Sequence, residues 1–240
     1  MSDLDGKVVL VTGAARGIGA AISVACDAAG AQVIAVDRDG VPGGITADLS
    51  EPGGPEQAFV AALERFGHVD GLVNASGVTT RASFVDADLA RFDAVMAVNL
   101  RAPFFLMSAM IAHLQARAAP GGIVNIQSMN AHCGAADLAI YAASKGGLQV
   151  LTKNAAEAHM ADRIRVNGIN LGWVATETER ALHASKGADW LGQQAAAQPL
   201  GRLVTAQECA AQAVWMLSDA SIPMTGVSLD LEQWIAGAPP

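Results

Sequence analysis

A tyrosine and a lysine lie four residues apart in the segment YAASK, residues 141–145. If this segment is helical, positions i and i+4 share one face, so the Tyr141 hydroxyl and the Lys145 ammonium can cooperate. A nearby cation stabilises a phenolate and therefore makes a phenol a usable base. The pair indicates a proton-transfer site. The alternative is a surface helix on which the two side chains never interact.

A glycine-rich loop, TGAARGIG at residues 12–19, lies between an apolar run and a helical pattern. Glycines allow the backbone to approach a pyrophosphate, and a helix N-terminus favours negative charge. The order of strand, loop and helix is the context that such a motif requires. The loop therefore predicts a dinucleotide phosphate site, with a tight turn between strand and helix as the alternative.

The acidic residue Asp37 ends the second strand-like run, 18 residues after Gly19. A carboxylate at this place accepts hydrogen bonds from the adenosine ribose and repels a 2′-phosphate, which favours NAD over NADP. Arg16 and Arg38 could each reach a 2′-phosphate. We give Asp37 more weight, because flexible arginine side chains can turn to solvent.

Apolar, strand-like runs alternate with helical patterns along the whole chain. The strand-like runs are residues 7–12, 31–36, 69–76, 121–128, 164–170 and 226–231. The helical patterns are residues 17–30 and about 55–66, 86–97, 100–118, 139–160 and 205–217. This alternation predicts an α/β fold, a doubly wound parallel sheet of about seven strands with helices on both faces, in a single domain over residues 1–240. The connection 37–48 is rich in Gly and turn residues, so we predict no full helix there.

The composition is that of a globular protein: 240 residues, 52% hydrophobic, with a net charge of −8. The negative charge argues against nucleic acid as a partner. We expect no secretion signal, no membrane span and a cytoplasmic location, since no apolar leader or uncharged 18-residue apolar run is evident. Cys26, Cys133 and Cys209 fit no disulfide framework, and we expect a packing role for Cys133. The five histidines show no metal-ligand spacing.

Together these motifs resemble the short-chain dehydrogenase/reductase family, in its branch of about 250 residues that depends on NAD(P). The likeness covers essentially the whole chain and implies a Rossmann-type fold. It rests on the glycine loop and on AD at 47–48, NASG at 74–77, Asn99, Ser128, YAASK and NLGWVAT at 170–176. The chain departs from the usual family pattern at Ala75-Ser76, Leu171 and Leu231.

The resemblance implies a role for each motif. Tyr141 is the general acid/base, Ser128 binds the reacting oxygen, and Asn99 holds a water that links Lys145 to solvent. Lys145 and the oxidised nicotinamide are expected to bring the pKa of Tyr141 down towards about 7. The implied cofactor-binding residues are Gly13, Arg16, Gly17, Ile18, Gly19, Asp37, Arg38, Asp48, Leu49, Asn74, Ala75, Ser76, Gly77, Tyr141, Lys145, Gly172, Val174 and Thr176.

The expected activity is NAD(H)-dependent interconversion of a secondary alcohol and a ketone, on a sugar or polyol. Residues 177–200 are expected to form a lid, and the candidate substrate contacts are Asn130, His132, Trp173 and Glu179. One alternative is an NADPH-dependent carbonyl or oxoacyl reductase. Another is a nicotinamide-sensing regulator without catalysis. Family members are often tetramers, so a homotetramer through the apolar segments 103–111 and 231–237 is expected. Core packing within one subunit is the alternative for residues 103–111.

Overall fold

A seven-stranded parallel sheet forms the centre of the computed structural model, which describes residues 3–187 and 189–236. Its strands are β1 (Val8–Thr12), β2 (Gln32–Asp37), β3 (Ile45–Thr46), β4 (Gly71–Asn74), β5 (Gly121–Ser128), β6 (Ile164–Leu171) and β7 (Ser228–Leu231). Their order is β3-β2-β1-β4-β5-β6-β7, and every neighbouring pair is parallel. The predicted doubly wound sheet is confirmed.

Helices connect most of the strands. They are α1 (Gly17–Ala28), α2 (Gly54–Phe66), α3 (Leu89–Met96), α4 (Ala102–Ala116), α5 (Ala139–His159), α6 (Glu177–Leu182), α7 (Trp190–Ala196) and α8 (Ala206–Leu217). A π-helical turn over residues 97–101 joins α3 to α4. The connection 37–48 holds β3 and no helix, as its glycines predict, although β3 itself was not predicted. The strand predicted at 69–76 is shorter because Ala75 and Ser76 leave the sheet to bond Thr12.

The strands bury apolar side chains on both faces of the sheet. On β1, Val8 and Leu10 belong to the core beneath α2, α4 and α5, whereas Val9 and Val11 belong to the core beneath α1 and α8. This pattern explains why the strands read as continuous apolar runs rather than as alternating ones. It also fixes α5 and α1 on opposite faces, with their functional ends at the same edge of the sheet.

A crevice forms where the strand order reverses. From β1 the chain runs outward to β2 and β3 on one side, and then crosses to β4 and β5 on the other. The loops that follow β1 and β4 therefore start at the carboxyl ends of adjacent strands and lead to helices on opposite faces of the sheet. In open α/β sheets this is the place where ligands bind.

Helices α3 and α4 form one continuous helical stretch with the turn between them. This stretch, Leu89–Ala116, has 28 residues and a mean hydropathy of 1.6, which would allow it to cross a membrane by length and composition. Half of the most apolar 18-residue segment in this stretch is buried inside the described fold, as in a core helix of a globular protein. The sequence predicts no membrane span because no uncharged 18-residue apolar run is evident; Arg101 interrupts the run here without ending the helix.

The three cysteines are free thiols in different surroundings. Cys26 and Cys209 are buried between the sheet and its helices, and burial raises the pKa of each to about 12. Cys133 is exposed, so the packing role expected for it is wrong. It lies in the loop after β5, which is open to solvent at this position.

Candidate active site

The loop between β1 and α1 packs directly against the loop that follows β4. A Cβ atom at Gly13 would lie 2.9 Å from the Ser76 nitrogen, and one at Gly19 would overlap the Gly13 carbonyl. Gly13 and Gly17 also adopt positive φ angles of 67° and 59°, which favour glycine. Arg16 precedes α1 without a side-chain hydrogen bond to the helix, so the first backbone N–H groups of α1 can receive an anion. The residues present fit a dinucleotide pyrophosphate.

The adenosine end of the crevice carries two carboxylates and two arginines. Asp37 accepts hydrogen bonds from the backbone nitrogens of Ala15 and Asp39, both at 3.0 Å. The Asp39 carboxylate pairs with Arg16 at 2.6 Å and lies 3.7 Å from Arg38. Both arginines that could have bound a 2′-phosphate therefore face a carboxylate.

Two further segments border the crevice. Asp48 accepts hydrogen bonds from the Ser50 side chain at 2.6 Å and from its backbone nitrogen at 2.8 Å, and these bonds lower the pKa of Asp48. Leu49 beside it is buried, and Ile18 packs its apolar side chain against the core from the first turn of α1. The carboxylate of Asp48 thus stays charged and fixed, while Leu49 and Ile18 pack into the cores on opposite faces of the sheet.

The NASG segment is braced from two directions. Asn74 donates to the Asn125 side chain at 2.8 Å, which ties β4 to β5. The backbone nitrogens of Ala75 and Ser76 donate to the Thr12 hydroxyl at 3.0 and 3.1 Å. The departure from the family pattern at Ala75 therefore leaves the loop anchored through its backbone.

Tyr141 and Lys145 lie one turn apart on the same face of α5. The Lys145 ammonium is 5.8 Å from the centroid of the Tyr141 ring and donates to the Ile126 carbonyl at 2.8 Å. Lys145 is 4% exposed, and a Cβ atom at Gly77 would lie 3.6 Å from its nitrogen. The lysine therefore faces the floor of the crevice, between the NASG loop and β5.

Burial raises the pKa of Tyr141; the hydroxyls of Ser128 and Thr79 lower it, and the charge of Glu179 raises it. Burial also lowers the pKa of Lys145, to about 8. For the chain by itself the pKa of Tyr141 is therefore raised, and the expectation that Lys145 and the oxidised nicotinamide together lower it stays a prediction. The ammonium bonds the Ile126 carbonyl, and desolvation outweighs the two hydroxyls.

Asn99 connects three elements around the site. It is fully buried in the π-helical turn, where it accepts from the Val78 nitrogen and donates to the Val78 carbonyl, both at 2.9 Å. It also donates to Ser144 at 3.1 Å, and Ser144 donates to the Tyr141 carbonyl at 2.7 Å. π-Helical turns occur frequently at functional sites. Here the turn carries an amide that fixes the loop after β4 against the helix that carries the tyrosine.

Ser128 ends β5 beside the tyrosine. Its hydroxyl oxygen accepts from the backbone nitrogen of Asn130 at 3.1 Å and from the Asn130 side chain at 3.2 Å. A serine oxygen has two lone pairs, so these bonds leave its proton free for donation. The arrangement can therefore present an O–H donor and a phenol to one substrate oxygen.

Comparison with known proteins identifies the family to which this chain belongs. A family model described as enoyl-(acyl carrier protein) reductase matches residues 13–232. L-fucose dehydrogenase of Mus musculus is 34% identical, over 93% of this chain and 86% of its own length. D-threitol dehydrogenase of Mycolicibacterium smegmatis is 33% identical, over 95% of this chain and 92% of its own length. The chain belongs to the short-chain dehydrogenase/reductase family.

A solved structure supports the same assignment. A protein described as a 2-deoxy-d-gluconate 3-dehydrogenase from Agrobacterium tumefaciens, with bound NADP, aligns with a TM-score of 0.86 at 32% identity and covers 96% of both chains. This short-chain dehydrogenase/reductase is therefore an oxidoreductase that acts on CH–OH groups and uses NAD(P).

In this short-chain dehydrogenase/reductase the loop after β6 closes one side of the crevice. A Cβ atom at Gly172 would overlap the Glu232 carboxylate, and Val174 is buried and pairs with Val204. The Thr176 methyl group would lie 3.8 Å from a Cβ atom at Gly17. The segment expected to bind the nicotinamide end is thus joined to the glycine loop.

The four predicted substrate residues fall into two groups. Asn130 and His132 follow β5, and His132 lies 3.0 Å from the Asp230 carboxylate. Trp173 and Glu179 lie beyond β6, where the indole nitrogen donates to the Glu179 carboxylate at 2.7 Å. The Glu179 charge reaches Tyr141, as the pKa of the tyrosine shows. The structure joins Glu179 to Trp173 and engages His132 with Asp230 of β7.

Four residues around the site were missed by reasoning from the sequence. Asp39 was overlooked although it closely follows Asp37, and His183 was not singled out although it lies four residues after Glu179. Both spacings are local and could have been weighed. Thr79 and Asp230 gave no such signal, since only the folded chain brings them to Tyr141 and His132.

Proposed function

We propose that the protein oxidises a secondary hydroxyl of a sugar or polyol, with NAD preferred as hydride acceptor. The observation that carries the proposal is the placement of Tyr141, Lys145, Ser128 and Asn99 at the crevice edge of the sheet, next to the glycine loop. The named activities of two relatives, on L-fucose and D-threitol, support the substrate class.

In this proposal the chain's own residues handle the proton. Ser128 donates a hydrogen bond to the substrate oxygen, and Tyr141 takes the hydroxyl proton. Lys145 holds the ribose hydroxyls and its charge favours the phenolate, while Asn99 holds a water that connects the lysine to solvent. When bound, NAD supplies the acceptor for the hydride. Tyr141 thus changes protonation at each turnover and is restored through Lys145.

The preference for NAD rests on the adenosine end. The Asp37 carboxylate is turned into the crevice by its bonds to Ala15 and Asp39, and it would repel a 2′-phosphate. Asp39 pairs with Arg16, which reduces the positive charge available to such a phosphate. The bound NADP in the Agrobacterium tumefaciens protein favours the opposite choice, so the preference needs a direct test.

Replacing Asp37 with serine should weaken NADH binding about tenfold and strengthen NADPH binding, because it removes a ribose acceptor and a negative charge together. The two dissociation constants can be measured by fluorescence titration. Asp27→Ser is the matched control, since it removes the same charge from an exposed position at the end of α1. An unchanged ratio of the two constants in Asp37→Ser, or an equal change in the control, would contradict the NAD preference.

The substrate class can be tested by following NADH formation with sugars, polyols, hydroxy acids and alcohols that carry one hydroxyl. We expect the highest kcat/KM among sugars or polyols. The second candidate is an NADPH-dependent reductase of carbonyl or oxoacyl compounds, which the description of the family model and the NADP-bound structure favour. Activity confined to oxoacyl thioesters with NADPH would replace the first proposal with the second.

The protein is also proposed to act as a homotetramer in the cytoplasm, where its free cysteines stay reduced. Helix α4 exposes Phe104 by 46% and Phe105 by 38%, and the C-terminal segment exposes Trp234 and Ile235. Such exposed apolar patches are typical of interfaces. Gly237, the last residue of the segment expected to take part, lies outside the described residues. Light scattering should give the mass of four chains.

A further inference from the structure

Glu179 is the centre of a cluster within the predicted lid. One of its carboxylate oxygens accepts hydrogen bonds from the indole nitrogen of Trp173 at 2.7 Å and from Nε2 of His183 at 2.9 Å. Because a carboxylate only accepts, Nε2 carries the shared proton. His183 is 5% exposed, and its Nδ1 has no hydrogen-bond partner among the described residues. The Nε2 proton of His183 is therefore used in one hydrogen bond, to Glu179.

The two rings that donate to this carboxylate pack against each other and against Trp190. The ring centroids of His183 and Trp190 are 4.6 Å apart, and that of Trp173 lies 5.8 Å from Trp190 and 5.9 Å from His183. Lys186 places its ammonium 4.1 Å from the centroid of Trp190. Trp173, Glu179, His183 and Trp190, here called the lid cluster, therefore consist of three packed rings, two of which donate to one carboxylate oxygen.

Helix α6, which carries Glu179, begins beside the glycine loop, since the methyl group of its N-cap residue Thr176 would lie 3.8 Å from a Cβ atom at Gly17. Among the described residues, two charged groups face Tyr141: the Lys145 ammonium from α5 and the Glu179 carboxylate from α6. Ser128 and Thr79 contribute uncharged hydroxyls from β5 and from the loop after β4. The Glu179 charge is unfavourable for forming a phenolate, so a contribution of Glu179 to the reaction would come through binding and not through proton transfer.

We propose that His183 is a positioning residue: its hydrogen bond holds the Glu179 carboxylate in the lid cluster, where the carboxylate binds a second hydroxyl of the substrate. Trp173 presents its ring to the carbon skeleton. The inference rests on the proposed function and deepens it, because it selects alcohols with more than one hydroxyl. An alcohol with a single hydroxyl would leave the carboxylate without a partner, which a site built for hydrogen bonding disfavours.

The test compares His183→Phe, which keeps a ring but removes the donor, with His183→Gln, which keeps a donor. Substrates are the best polyol or sugar of the panel and cyclohexanol, which has one hydroxyl. We expect His183→Phe to raise KM for the polyol about tenfold and to leave kcat and the cyclohexanol KM within about twofold. His183→Gln should restore most of the loss. Glu177→Gln, exposed two residues before Glu179, should change neither substrate.

A pH profile separates positioning from simple packing. Glu179→Gln keeps the shape of the side chain and removes the charge that raises the pKa of Tyr141. The acid limb of the oxidation profile should therefore move to lower pH in Glu179→Gln. It should move in the same direction, by less, in His183→Phe, and stay in place in His183→Gln. Equal losses with both substrates in His183→Phe, together with an unmoved profile, would overturn the inference.

The outcomes also separate this inference from the proposed function. If the wild-type enzyme oxidises cyclohexanol but no sugar or polyol, the proposed substrate class fails. The role of His183 is then decided by the cyclohexanol pH profiles alone. If His183→Phe does not fold, as judged by circular dichroism, Glu179→Gln decides through both its polyol KM and its profile. An unmoved profile in that variant rejects the role of Glu179 at Tyr141.

Discussion

Tyr141→Phe is expected to reduce turnover by about 10³- to 10⁴-fold while NADH affinity stays within about twofold. The substitution removes the hydroxyl that takes the proton and leaves the ring packed on α5. The glycine loop and Lys145, which would hold the dinucleotide, are not altered. The measurements are kcat with the best substrate and the NADH dissociation constant by fluorescence titration.

The control for this variant is Thr79→Val. The hydroxyls of Ser128 and Thr79 both lower the pKa of Tyr141, and this substitution removes the one from Thr79. It should lower turnover far less, since it changes the environment of the phenol and not the phenol itself. Turnover of Tyr141→Phe within tenfold of the wild type would reject the proton-transfer role. An unchanged biological activity in an inactive Tyr141→Phe variant would instead favour a nicotinamide-sensing regulator.

Lys145→Met is expected to abolish most turnover and, near pH 7, to raise the free energy of unfolding by about 1–3 kcal/mol. Burial lowers the pKa of Lys145 from 10.5 to about 8, so the folded chain holds a charge at an unfavourable place. Methionine fills similar volume without a charge. The lost hydrogen bond to the Ile126 carbonyl offsets part of the gain. Urea unfolding and steady-state kinetics on the same preparation provide both measurements.

The pH dependence of the free energy of unfolding tests whether the Lys145 charge destabilises the folded chain. Between pH 8 and 10.5 the unfolded chain binds a proton that folded Lys145 has lost, so wild-type stability rises with pH in that window. The stability difference between wild type and Lys145→Met should therefore be largest below pH 8 and smaller near pH 10. Lys153→Met, exposed on the same helix, should show no such trend. A variant less stable than the wild type near pH 7 would contradict the argument.

The fold was predictable because its signals are local. The run VVLV in β1 is entirely apolar, β5 and β6 are eight residues long and rich in apolar residues, and the glycine loop lies between a strand and a helix. The two-residue strand β3 was missed because its pairing with β2 is set by the sheet and not by its own residues. Boundaries moved where tertiary bonds took over, as at Ala75 and Ser76.

The sequence predicted which residues form the candidate site better than it predicted their charge interactions and pKa shifts. Spacing alone placed Tyr141 and Lys145 on one face of a helix, which the structure confirms. The direction of the pKa shift of Tyr141 depends on burial and on Glu179, which comes from a distant segment. The pairing of Arg16 with Asp39 likewise depends on the path of the chain after β2. Residue types and spacing carry no measure of such desolvation or contact.

Thr176 contacts both the glycine loop and the first turn of helix α6. Its hydroxyl accepts from the backbone nitrogen of Glu179 at 3.1 Å and so begins α6, while its methyl group faces Gly17 in the glycine loop. A dinucleotide seated on that loop would thus steady the first turn of the helix that carries Glu179. We expect this link to give compulsory-order kinetics, with the dinucleotide as the first reactant to bind and its reduced form as the last product to leave.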